Sequence, residues 1–595
     1  MNIVNTKVRY KIKPFDLRGI ELGPSRFHDQ FNAARDYFMA LPSEDMLLGF
    51  RRRAGLPHPG IELGGWYSNE ASHTPDHDEI GNPFGQWISA LSRMYATTGD
   101  TNILKKVQFL ITEWGKTIEP DGYFFYSRDS SSYHYVYDKF VCGLVDAIIY
   151  CGFGPAEDYL DKITRWAIKN LVRYRLPAQY ENWSGWNPFV GGQDEEWYTL
   201  GENLYRAYLV TGKPSFKDYA FEWHYDYFWD HLAAGHPEVM TDLHGYSHVN
   251  TLSSAAMAYQ IYGEEKYLQT LIRGYDLLKR YQWMASGGYA PAERMANTQG
   301  SNGKAMETRA DSFEVPCGTW AAFKISRYLM AFTGNASYAE WIETLLYNAI
   351  SATLPIKDDS FRRGRAYYYA DYRVTGGRKV YYPVSFPCCS GTYPQAVVEY
   401  FNLIYYYDEN SLYVSQFIPS TAHVDFEGKN VVVRQETNYP ESNFTTLTIN
   451  TQVDTFFNLK LRIPGWSNSD QIIIEINEEQ IKKAGNQDGW LVISRLWKTN
   501  ERVKFTIPMA LRFIPVAPAF PSRVALMYGP VMLAMISKDG GPLVGNIKAP
   551  QDWIKPVSGE PLHFRVENNI LERRFVPFFE IGERIKYYVY NDVIE

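Results

Sequence analysis

The sequence predicts a large α-helical domain, an (α/α)6 toroid over residues 1–404, followed by β-sandwich material over residues 405–595. Two observations predict this arrangement. A helical unit that ends in glycine recurs through the first two thirds of the chain, and after about residue 405 the hydrophobic pattern takes the two-residue period of strands. A chain of 595 residues is long enough for several domains. A short N-terminal strand that joins the sandwich is also compatible with the pattern.

The helical unit is recognised by where it stops. Apolar residues at helical spacing lead to Thr98-Gly99-Asp100, and similar segments end at four further glycines, Gly152, Gly212, Gly263 and Gly334. Successive ends are 53, 60, 51 and 71 residues apart, which is room for two helices and their loops. A closed ring of such hairpins buries every apolar face. An open solenoid is the alternative, but the long irregular segments 178–198 and 285–316 favour a barrel with active-site loops.

The strands are predicted from five short runs separated by Pro, Gly and Asn. Each run alternates polar and apolar residues or is continuously apolar over five to seven residues, as is typical of sandwich strands. The runs begin at Leu412, Asn430, Phe444, Asn458 and Arg502.

Composition and charge exclude several classes of protein. With 45% apolar and 21% charged residues the chain can bury a core, which excludes intrinsic disorder. No run of about 18 apolar residues predicts a membrane span, and a net charge of −7 without a basic stripe argues against nucleic-acid binding. The aromatic content of 16% fits either stacking on sugar rings or a large helical core. The first residues contain no apolar signal-peptide segment, which predicts a cytoplasmic protein, or a periplasmic one if a leader has been removed.

Three of the five cysteines lie in polar, turn-like surroundings. Cys388 and Cys389 are adjacent, Cys317 lies 71 residues before Cys388, and Glu314 precedes Cys317 by three residues. Three thiols and a carboxylate are a plausible tetrahedral Zn²⁺ set, and zinc would hold the thiols as thiolate nucleophiles at neutral pH. A vicinal disulfide, or unrelated loop cysteines, remain open alternatives. The other two, Cys142 and Cys151, lie in an apolar helical stretch and are expected to be core residues.

Other chemistry-bearing residues are less specific. Two pairs of histidines have ligand-like spacing, His73 with His77 and His244 with His248, although such pairs are more often polar loops or helix starts. Trp183, Trp186 and Trp197 suit either the floor of a sugar site or loop packing. Candidate general acids cluster in the irregular segments: Glu181, Asp194, Glu195, Glu196, Glu293, Glu307 and Asp311.

Several motifs in order along the chain resemble glycoside hydrolase family 127, the β-L-arabinofuranosidase type. The resemblance runs from about residue 14 to 590, and it depends on the order and spacing of the motifs together. They are Leu41-Pro-Ser-Glu-Asp-Met-Leu-Leu-Gly-Phe-Arg, Ser89-Ala-Leu-Ser-Arg-Met-Tyr-Ala-Thr-Thr-Gly-Asp, Glu343-Thr-Leu-Leu-Tyr-Asn, Cys388-Cys389 and Leu461-Arg-Ile-Pro-Gly-Trp.

The resemblance implies a zinc-dependent, retaining, exo-acting glycosidase with a cysteine nucleophile. Cys388 would attack the anomeric carbon, and Glu314, Cys317 and Cys389 would complete the metal set. Glu293, which follows a Gly-Gly segment, would be the general acid/base. The positions that would contact the sugar are His248, Glu343 and Tyr369.

The sequence also departs from the family pattern. The usual Glu-x-Cys is here Glu314-Val-Pro-Cys317, which puts the carboxylate ligand in question. Two histidines that contact arabinofuranose in the best-known members correspond to Gln86 and Gly143, and Lys139 lies nearby in sequence. We expect Gly143 to open space in the pocket and Gln86 and Lys139 to contact a different sugar, one that is bulkier, bicyclic or charged.

The function predicted is release of a terminal sugar from a plant or algal oligosaccharide or other glycoside. L-arabinofuranose-like residues, 3,6-anhydro-galactose and acidic branched sugars are the candidate sugars. A non-catalytic carbohydrate-binding protein and a polysaccharide lyase on the same toroid are the alternatives. Neither a nucleic acid nor a membrane is an expected partner, and a homodimer is an open option because C-terminal sandwiches often mediate dimers.

Overall fold

The computed structural model describes residues 9–68, 81–128, 132–171, 196–481, 485–538, 540–567 and 572–594. Sixteen α-helices occupy the N-terminal part of these residues: α1 Arg26–Ala40, α2 Ser43–Arg53, α3 Pro83–Thr98, α4 Thr101–Gly115, α5 Tyr133–Cys151, α6 Pro155–Asn170, α7 Leu200–Thr211, α8 Pro214–Glu222, α9 Asp226–Ala234, α10 Gly245–Tyr262, α11 Glu265–Tyr281, α12 Ser301–Ala305, α13 Val315–Thr333, α14 Ala339–Asn348, α15 Cys389–Val398 and α16 Tyr400–Leu403.

Six of these helices form a closed inner ring. Each of α3, α5, α7, α10, α13 and α15 packs on the next, and α15 packs back on α3. The outer helices α4, α6, α8, α11, α14 and α1 each pack against one inner helix. The inner helices are apolar almost all round because both sides are covered, whereas outer helices such as α6 and α11 are amphipathic. The predicted toroid is therefore confirmed, and the open solenoid is excluded.

The glycines that marked the helical repeat end five inner helices. Gly99, Gly152, Gly212, Gly263 and Gly334 all have left-handed φ angles between 60° and 74° and follow α3, α5, α7, α10 and α13. A left-handed residue after the last helical turn satisfies the terminal carbonyls, and glycine adopts it without steric cost. Because these ends lie together, the N-termini of the inner helices all lie at the opposite end of the ring.

Twenty-five strands complete the described chain: β1 Lys13–Pro14, β2 Ile20–Leu22, β3 Phe313–Glu314, β4 Tyr369–Ala370, β5 Gly377–Arg378, β6 Tyr405–Tyr407, β7 Ser411–Val414, β8 Ser420–Phe426, β9 Lys429–Thr437, β10 Phe444–Thr451, β11 Thr455–Arg462, β12 Ile473–Ile476, β13 Glu479–Gln480, β14 Asn486–Gln487, β15 Trp490–Trp497, β16 Glu501–Thr506, β17 Leu511–Pro515, β18 Arg523–Tyr528, β19 Val531–Ile536, β20 Leu543–Val544, β21 Ile554–Pro556, β22 Phe564–Val566, β23 Arg574–Pro577, β24 Lys586–Tyr587 and β25 Tyr590–Ile594.

The strands after the toroid form three sheets. The first has the order β1-β6-β7-β11-β15-β14 and the second β13-β12-β16-β10-β9-β8-β2. The third, β20-β25-β18-β19-β23-β22-β21, has its own hydrophobic cluster. N-terminal strands β1 and β2 pair with β6 and β8, so the chain enters the sandwich before it builds the toroid. Among the described residues, no helix is both long and apolar enough to cross a membrane.

Candidate active site

Four side chains from two distant parts of the chain meet at the N-terminal end of the inner ring. The Sγ atom of Cys317 lies 3.8 Å from that of Cys388 and 3.4 Å from that of Cys389. The Oε1 atom of Glu314 lies 3.7 Å from Cys388 Sγ and 3.4 Å from Cys389 Sγ. All four donor atoms lie within 4.8 Å of one another. The structure thus brings together the residues predicted as a metal set, which we call the thiol cluster.

Local structure explains how the thiol cluster is assembled. Glu314 ends β3 and caps α13, so that Cys317 lies one helical turn later on the same face. Pro316 is the second residue of this helix, where its missing N–H costs nothing because the first N–H groups of a helix have no partner within it. Cys388 and Cys389 begin α15. Because Glu314 and Cys317 are one helical turn apart, the extra residue between them does not prevent the carboxylate from reaching the thiols.

The spacing of the donor atoms fits a tetrahedral metal ion. With Zn–S bonds of about 2.3 Å and a Zn–O bond of about 2.0 Å, tetrahedral geometry requires S···S separations of about 3.8 Å and S···O separations of about 3.5 Å. The observed separations of 3.4–3.8 Å agree with this. The second carboxylate oxygen of Glu314 is buried and has no hydrogen-bond partner among the described residues. Such a group is costly unless something binds it, which favours a cation at this position.

The four groups differ in their tendency to ionise. Burial raises the pKa of the Cys317 and Cys389 thiols and of the Glu314 carboxyl. Burial also opposes ionisation of Cys388, but hydrogen bonds from Cys317, Cys389 and Tyr368 hold the pKa of its thiol well below the usual range. Cys388 is 7% exposed, whereas Cys317 and Cys389 are completely buried. The most accessible sulfur is therefore also the one most readily present as a thiolate, as a nucleophile requires.

Glu293 lies beside the thiol cluster in a hydrogen-bonded row. Its carboxylate accepts hydrogen bonds from Tyr369 and from His244 Nε2, the latter at 3.1 Å, and it lies within 4.8 Å of a Glu314 oxygen. His244 Nδ1 lies 2.8 Å from Glu196. Burial disfavours the charged form of both partners, yet the ion pair raises the pKa of His244 well above its usual value and lowers that of Glu293 to about 2. His244, Glu293 and Glu314 form a second group that could hold a metal, but both nitrogens of His244 are already engaged.

Backbone strain is concentrated around these side chains. The loop that carries Glu293 has left-handed φ angles at Ala290, Ala292 and Glu293, of 56° to 60°. Phe386, two residues before Cys388, has a φ of 43°. Non-glycine residues in this region cost roughly 1–3 kcal/mol each and occur where a fold holds a functional side chain in place. Hydrogen bonds from Ala292 N to Asp311 O and from Phe386 N to Gly364 O hold these segments.

Two further residues at the cluster were not identified by sequence reasoning. The hydroxyl of Tyr368 lies 3.3 Å from Cys388 Sγ, and the next residue, Tyr369, hydrogen-bonds Glu293. Thr392 Oγ1 lies 2.8 Å from Cys317 Sγ. Tyr368 is one of three consecutive tyrosines, and only the strand pairing of Glu314 with Tyr369 determines which of them faces the thiols. Thr392, one turn into α15, could have been found from its i+3 spacing to Cys389.

Lys139 and Gln86 lie near the cluster but do not have the surroundings we expected. Lys139 is buried, donates to Asp138 Oδ2 at 2.9 Å and to Tyr246 Oη at 3.4 Å, and lies 4.0 Å from the ring centre of Tyr135. Its charge is thus already neutralised by Asp138. Gln86 packs against Gly391 of α15, and neither end of its amide has a hydrogen-bond partner among the described residues.

Three other expectations about the pocket have different outcomes. His248 is buried among Tyr198, Tyr225 and Phe228, with Nδ1 bonded to the His244 carbonyl, and burial lowers its pKa to about 3. It is therefore a neutral ring one turn behind His244. The structure does not bring Glu343 to the cluster.

The carboxylate of Glu343 is instead held by the sandwich. Arg462 forms a buried ion pair with it, Tyr439 Oη donates at 2.9 Å and Trp466 Nε1 donates at 2.8 Å.

The expectation that Gly143 opens space in the pocket is wrong. A Cβ at Gly143 would lie 2.4 Å from the carbonyl oxygen of Gly85, because α3 and α5 are in close contact there.

Several candidates lie outside the described residues, namely His73, His77, Glu181, Trp183, Trp186, Asp194 and Glu195. Trp197 is buried against Tyr198 and Tyr225, so it is a packing residue. Beside the thiol cluster lies a cavity of about 480 Å³, whose lining includes Tyr368, Tyr369, Tyr382, Arg309 and Asp311. Its volume is in the range of small-molecule sites.

Comparison with protein families decides what this site belongs to. The profile of the GH127 catalytic domain of β-L-arabinofuranosidases matches residues 19–402, and that of the GH127 middle domain matches residues 411–509. The chain belongs to glycoside hydrolase family 127. Family 127 members are glycoside hydrolases, so this protein is an enzyme of that class, and the resemblance drawn from its motifs is confirmed.

Solved structures of family 127 share the architecture. A GH127 β-arabinofuranosidase is 17% identical, with a TM-score of 0.73 over 98% of both chains. A GH127 β-L-arabinofuranosidase from Geobacillus stearothermophilus T6 is 18% identical, with a TM-score of 0.70 over 97% of this chain and 100% of that one. A third structure, described as a glycoside hydrolase, is 13% identical, with a TM-score of 0.69 over 100% and 99%. A search of curated proteins finds no match.

Two of the motifs that identify family 127 here meet at one joint. Glu343 belongs to the catalytic domain, and Arg462 and Trp466 belong to the Leu461-Arg-Ile-Pro-Gly-Trp motif of the middle domain. A buried carboxylate with three donors is costly to disrupt, since loss of one partner leaves an unpaired charge. These two motifs therefore fix the position of the sandwich on the toroid.

Proposed function

We propose that this family 127 enzyme is an exo-acting, retaining glycosidase in which Cys388 is the nucleophile and Glu293 the general acid/base. The observations that carry the proposal are contacts of two consecutive tyrosines: the Tyr368 hydroxyl lies 3.3 Å from Cys388 Sγ, and the Tyr369 hydroxyl donates a hydrogen bond to Glu293. Glu314 contacts both groups, with an oxygen 3.7 Å from Cys388 Sγ and one within 4.8 Å of Glu293, so the two proposed reacting side chains are close enough to act on a single anomeric carbon. Retaining enzymes need this proximity, because the nucleophile attacks the same centre that the acid/base serves.

In the first step, the Cys388 thiolate forms a bond to the anomeric carbon as the glycosidic C–O bond breaks. The leaving oxygen takes a proton from Glu293, and a thioglycosyl bond to Cys388 results. In the free enzyme Glu293 is a carboxylate beside the His244 imidazolium, so the proton that Glu293 passes to the leaving oxygen comes from His244. Glu196 contacts Nδ1, on the opposite side of the imidazole from Glu293, and holds His244 in position.

In the second step, water attacks the anomeric carbon and gives a proton back to Glu293. The C–S bond breaks and Cys388 leaves as a thiolate. Two displacements at one carbon return its original configuration. Tyr368 can donate a hydrogen bond to the sulfur in the free enzyme and when the thiolate leaves, which stabilises the charge in both states.

We propose Zn²⁺ as the metal of the thiol cluster, held by Glu314, Cys317, Cys388 and Cys389. A bound Zn²⁺ ion would keep these sulfurs ionised at neutral pH and make the Cys388 thiolate a better leaving group. The donor set of three sulfurs and one carboxylate, the tetrahedral spacing and the unpartnered oxygen of Glu314 support this choice. Thr392, which hydrogen-bonds Cys317, would orient that ligand.

For the substrate we propose a terminal furanose-like or anhydro sugar of a plant or algal oligosaccharide. The Gln86 amide, with no partner among the described residues, is available to a sugar hydroxyl or to a bridging water. An acidic sugar has less support than the sequence indicated, because Lys139 is already neutralised by Asp138. Tyr369 and the cavity next to Tyr368 suit a sugar ring.

The experiment is to incubate the purified, zinc-analysed protein with a panel of aryl glycosides that includes β-L-arabinofuranoside and 3,6-anhydro-galactoside. Rapid quenching with a slow substrate, followed by peptide mass spectrometry, should detect a glycosyl adduct on Cys388. An adduct on a carboxylate, or turnover without any adduct and with inverted configuration, would contradict the proposal. A chain that binds these sugars but turns none of them over would instead be a non-catalytic member.

A further inference from the structure

A second cavity lies inside the inner ring, at the end opposite the thiol cluster. Its volume is about 360 Å³, and its charged lining residues are Arg93, Glu202, Arg206, Lys324 and Arg327. Arg93, Arg206, Lys324 and Arg327 lie well along α3, α7 and α13 from the cluster, and Glu202 lies in the first turn of α7. The N-terminal segment covers the same cavity through Tyr10 and Pro14. None of these side chains takes part in the chemistry proposed above. We call this space the closed-end cavity.

The charges around the closed-end cavity do not balance. Asp146 pairs with Arg93 and Arg206, and Glu399 pairs with Arg93 and Arg327. Lys324 pairs with Glu202. Four cations therefore face three carboxylates, which leaves one positive charge in excess. Burial lowers the pKa of Lys324, and Glu202 opposes the shift.

The inner helices do not supply the missing negative charge. The negative end of a helix dipole acts on charges within about the last turn. Arg93, Arg206 and Arg327 lie five, five and six residues before the ends of α3, α7 and α13, and Lys324 lies still farther away. The excess charge is thus not explained by the backbone.

The donors also face open space. The side chains of Arg206 and Arg327 are 16% and 18% exposed, although they are located within the ring, and both line the closed-end cavity. Trp320 is 3% exposed and lines it too, and its Nε1 has no hydrogen-bond acceptor among the described residues. A buried N–H without an acceptor costs free energy, so a polar ligand that accepts from it is favoured.

We propose that the closed-end cavity is a binding site for a small organic anion, with a carboxylate or phosphate group held by Arg206, Arg327 and Trp320 Nε1. Arginine guanidinium groups match the oxygen pairs of such anions, and one negative charge neutralises the excess. The volume admits a molecule of sugar-acid size. The tyrosine hydroxyls of the lining, from Tyr10 and Tyr150, would meet the polar body of the ligand.

The test measures binding to the intact protein by calorimetry and by the shift of the thermal unfolding midpoint. Sodium gluconate is the carboxylate probe, sorbitol is its uncharged counterpart, and sodium phosphate is the inorganic probe, all at constant ionic strength. We expect saturable binding of gluconate and none of sorbitol. Binding of phosphate instead of gluconate would support the site and identify its ligand as a phosphate compound. No saturable binding of either anion would overturn the proposal.

Variants locate the binding. Arg206→Gln should raise the dissociation constant at least about tenfold, since it removes a charged donor, while Asp146 keeps Arg93 as a partner. Trp320→Phe removes only the indole N–H and should raise the dissociation constant about threefold to tenfold. The exposed Arg280 lies outside the cavity, so Arg280→Gln is the matched control and should bind as the natural protein does. Equal binding by all four proteins would place the anion elsewhere, the active site included, and overturn the proposal.

Discussion

The two ends of the inner ring are built on opposite electrostatic principles. At the N-terminal end, three thiols and two carboxylates, Glu293 and Glu314, lie within a few ångströms, and an oxygen of Glu314 has no partner among the described residues. At the closed end every carboxylate is paired with at least one cation. Since all inner helices point their N-termini at the first end, their dipoles favour anions there. The comparison teaches that one ring can keep reactive anions at one end while ion pairs stabilise the other.

Backbone strain follows the same division. In the described part of the helical domain, six non-glycine residues have left-handed φ angles, and all lie on segments next to the thiol cluster: Glu196, Asp242, Ala290, Ala292, Glu293 and Phe386. Five of the six inner helices end in glycine at the closed end. Strain of this kind is retained where it positions functional side chains. The N-terminal end should therefore lose activity when changed, and the closed end should lose stability.

The largest effect is expected at Cys388, the proposed nucleophile. Cys388→Ser should reduce kcat/KM by roughly 10⁴-fold or more, because a serine hydroxyl is neither ionised nor a comparable leaving group here. The thermal unfolding midpoint should change little. The control is Cys151→Ser, a half-buried thiol whose pKa burial raises to about 11, and it should keep full activity. Appreciable turnover by Cys388→Ser would return the nucleophile's role to a carboxylate.

At the closed end, we expect a substitution to change the free energy of unfolding rather than the activity. Asp146→Asn leaves Arg93 and Arg206 short of a buried counter-charge and should lower the free energy of unfolding by about 3–5 kcal/mol. Burial opposes the charge of Asp146, but Arg206 and Arg93 lower its pKa. Its stabilising contribution is therefore complete above its unfolded pKa of about 3.9 and is lost as the pH falls below that value.

Urea unfolding at pH 7 and near pH 3.5 measures both parts of this prediction. The natural protein should lose more stability between these pH values than Asp146→Asn does. The exposed Asp158→Asn on α6 is the matched control and should behave as the natural protein at both. If Asp146→Asn is as stable at pH 7 as this control, the closed end is not a stabilising network.

Glu314→Gln tests the contrast at the opposite end. It removes a proposed metal ligand, so zinc affinity should fall at least about 10–100-fold. The metal-free protein should not lose stability, because the lost charge had no partner at one of its oxygens. Metal analysis, a competition titration with a chelator and unfolding of the stripped protein measure both. A loss of stability as large as that of Asp146→Asn, with unchanged zinc affinity, would make Glu314 a structural residue.

The sequence was sufficient for the ring and for the thiol cluster, but not for the surroundings of the cluster. Gly99 and its four counterparts mark the repeat because a left-handed cap is a local property of the chain. Cys317 and Cys388 stand out because thiols are rare and their neighbours are polar. Tyr368 could not be chosen among adjacent tyrosines, since its direction depends on the pairing of β3 with β4. Glu343 was assigned to the sugar because one motif cannot show that Arg462 binds it.

Gly143 shows how a sequence argument about empty space fails. A small residue was interpreted as room for a substrate, whereas here it is needed for the contact of α3 with α5. Gly143→Ala should therefore destabilise the protein by about 1–3 kcal/mol, as expected for overpacking. Gly154→Ala is the control, since a Cβ there meets nothing within 4 Å and the backbone is helical. Equal free energies of unfolding for the two variants would show that α5 can shift to accept a Cβ, and the contact of α3 with α5 would then not require Gly143.

The smallest expected change in activity concerns the Tyr368 hydroxyl beside Cys388, the proposed nucleophile. Tyr368→Phe keeps the ring, which stacks on Tyr382, but removes the hydrogen bond to Cys388. A hydrogen bond to a charged group contributes about 1.5–3 kcal/mol, so kcat should fall about tenfold or more while KM changes little. Tyr393→Phe, the same change within α15, removes the hydroxyl of a buried tyrosine near Gln30 and Thr353 and should leave kcat unchanged. A merely structural role for Tyr368 would lower the unfolding midpoint of both variants alike and leave kcat intact. A kcat that falls in the Tyr368 variant alone would show that this hydroxyl acts on the Cys388 thiolate. Such a hydrogen bond to a reactive anion is needed only at the N-terminal end of the inner ring.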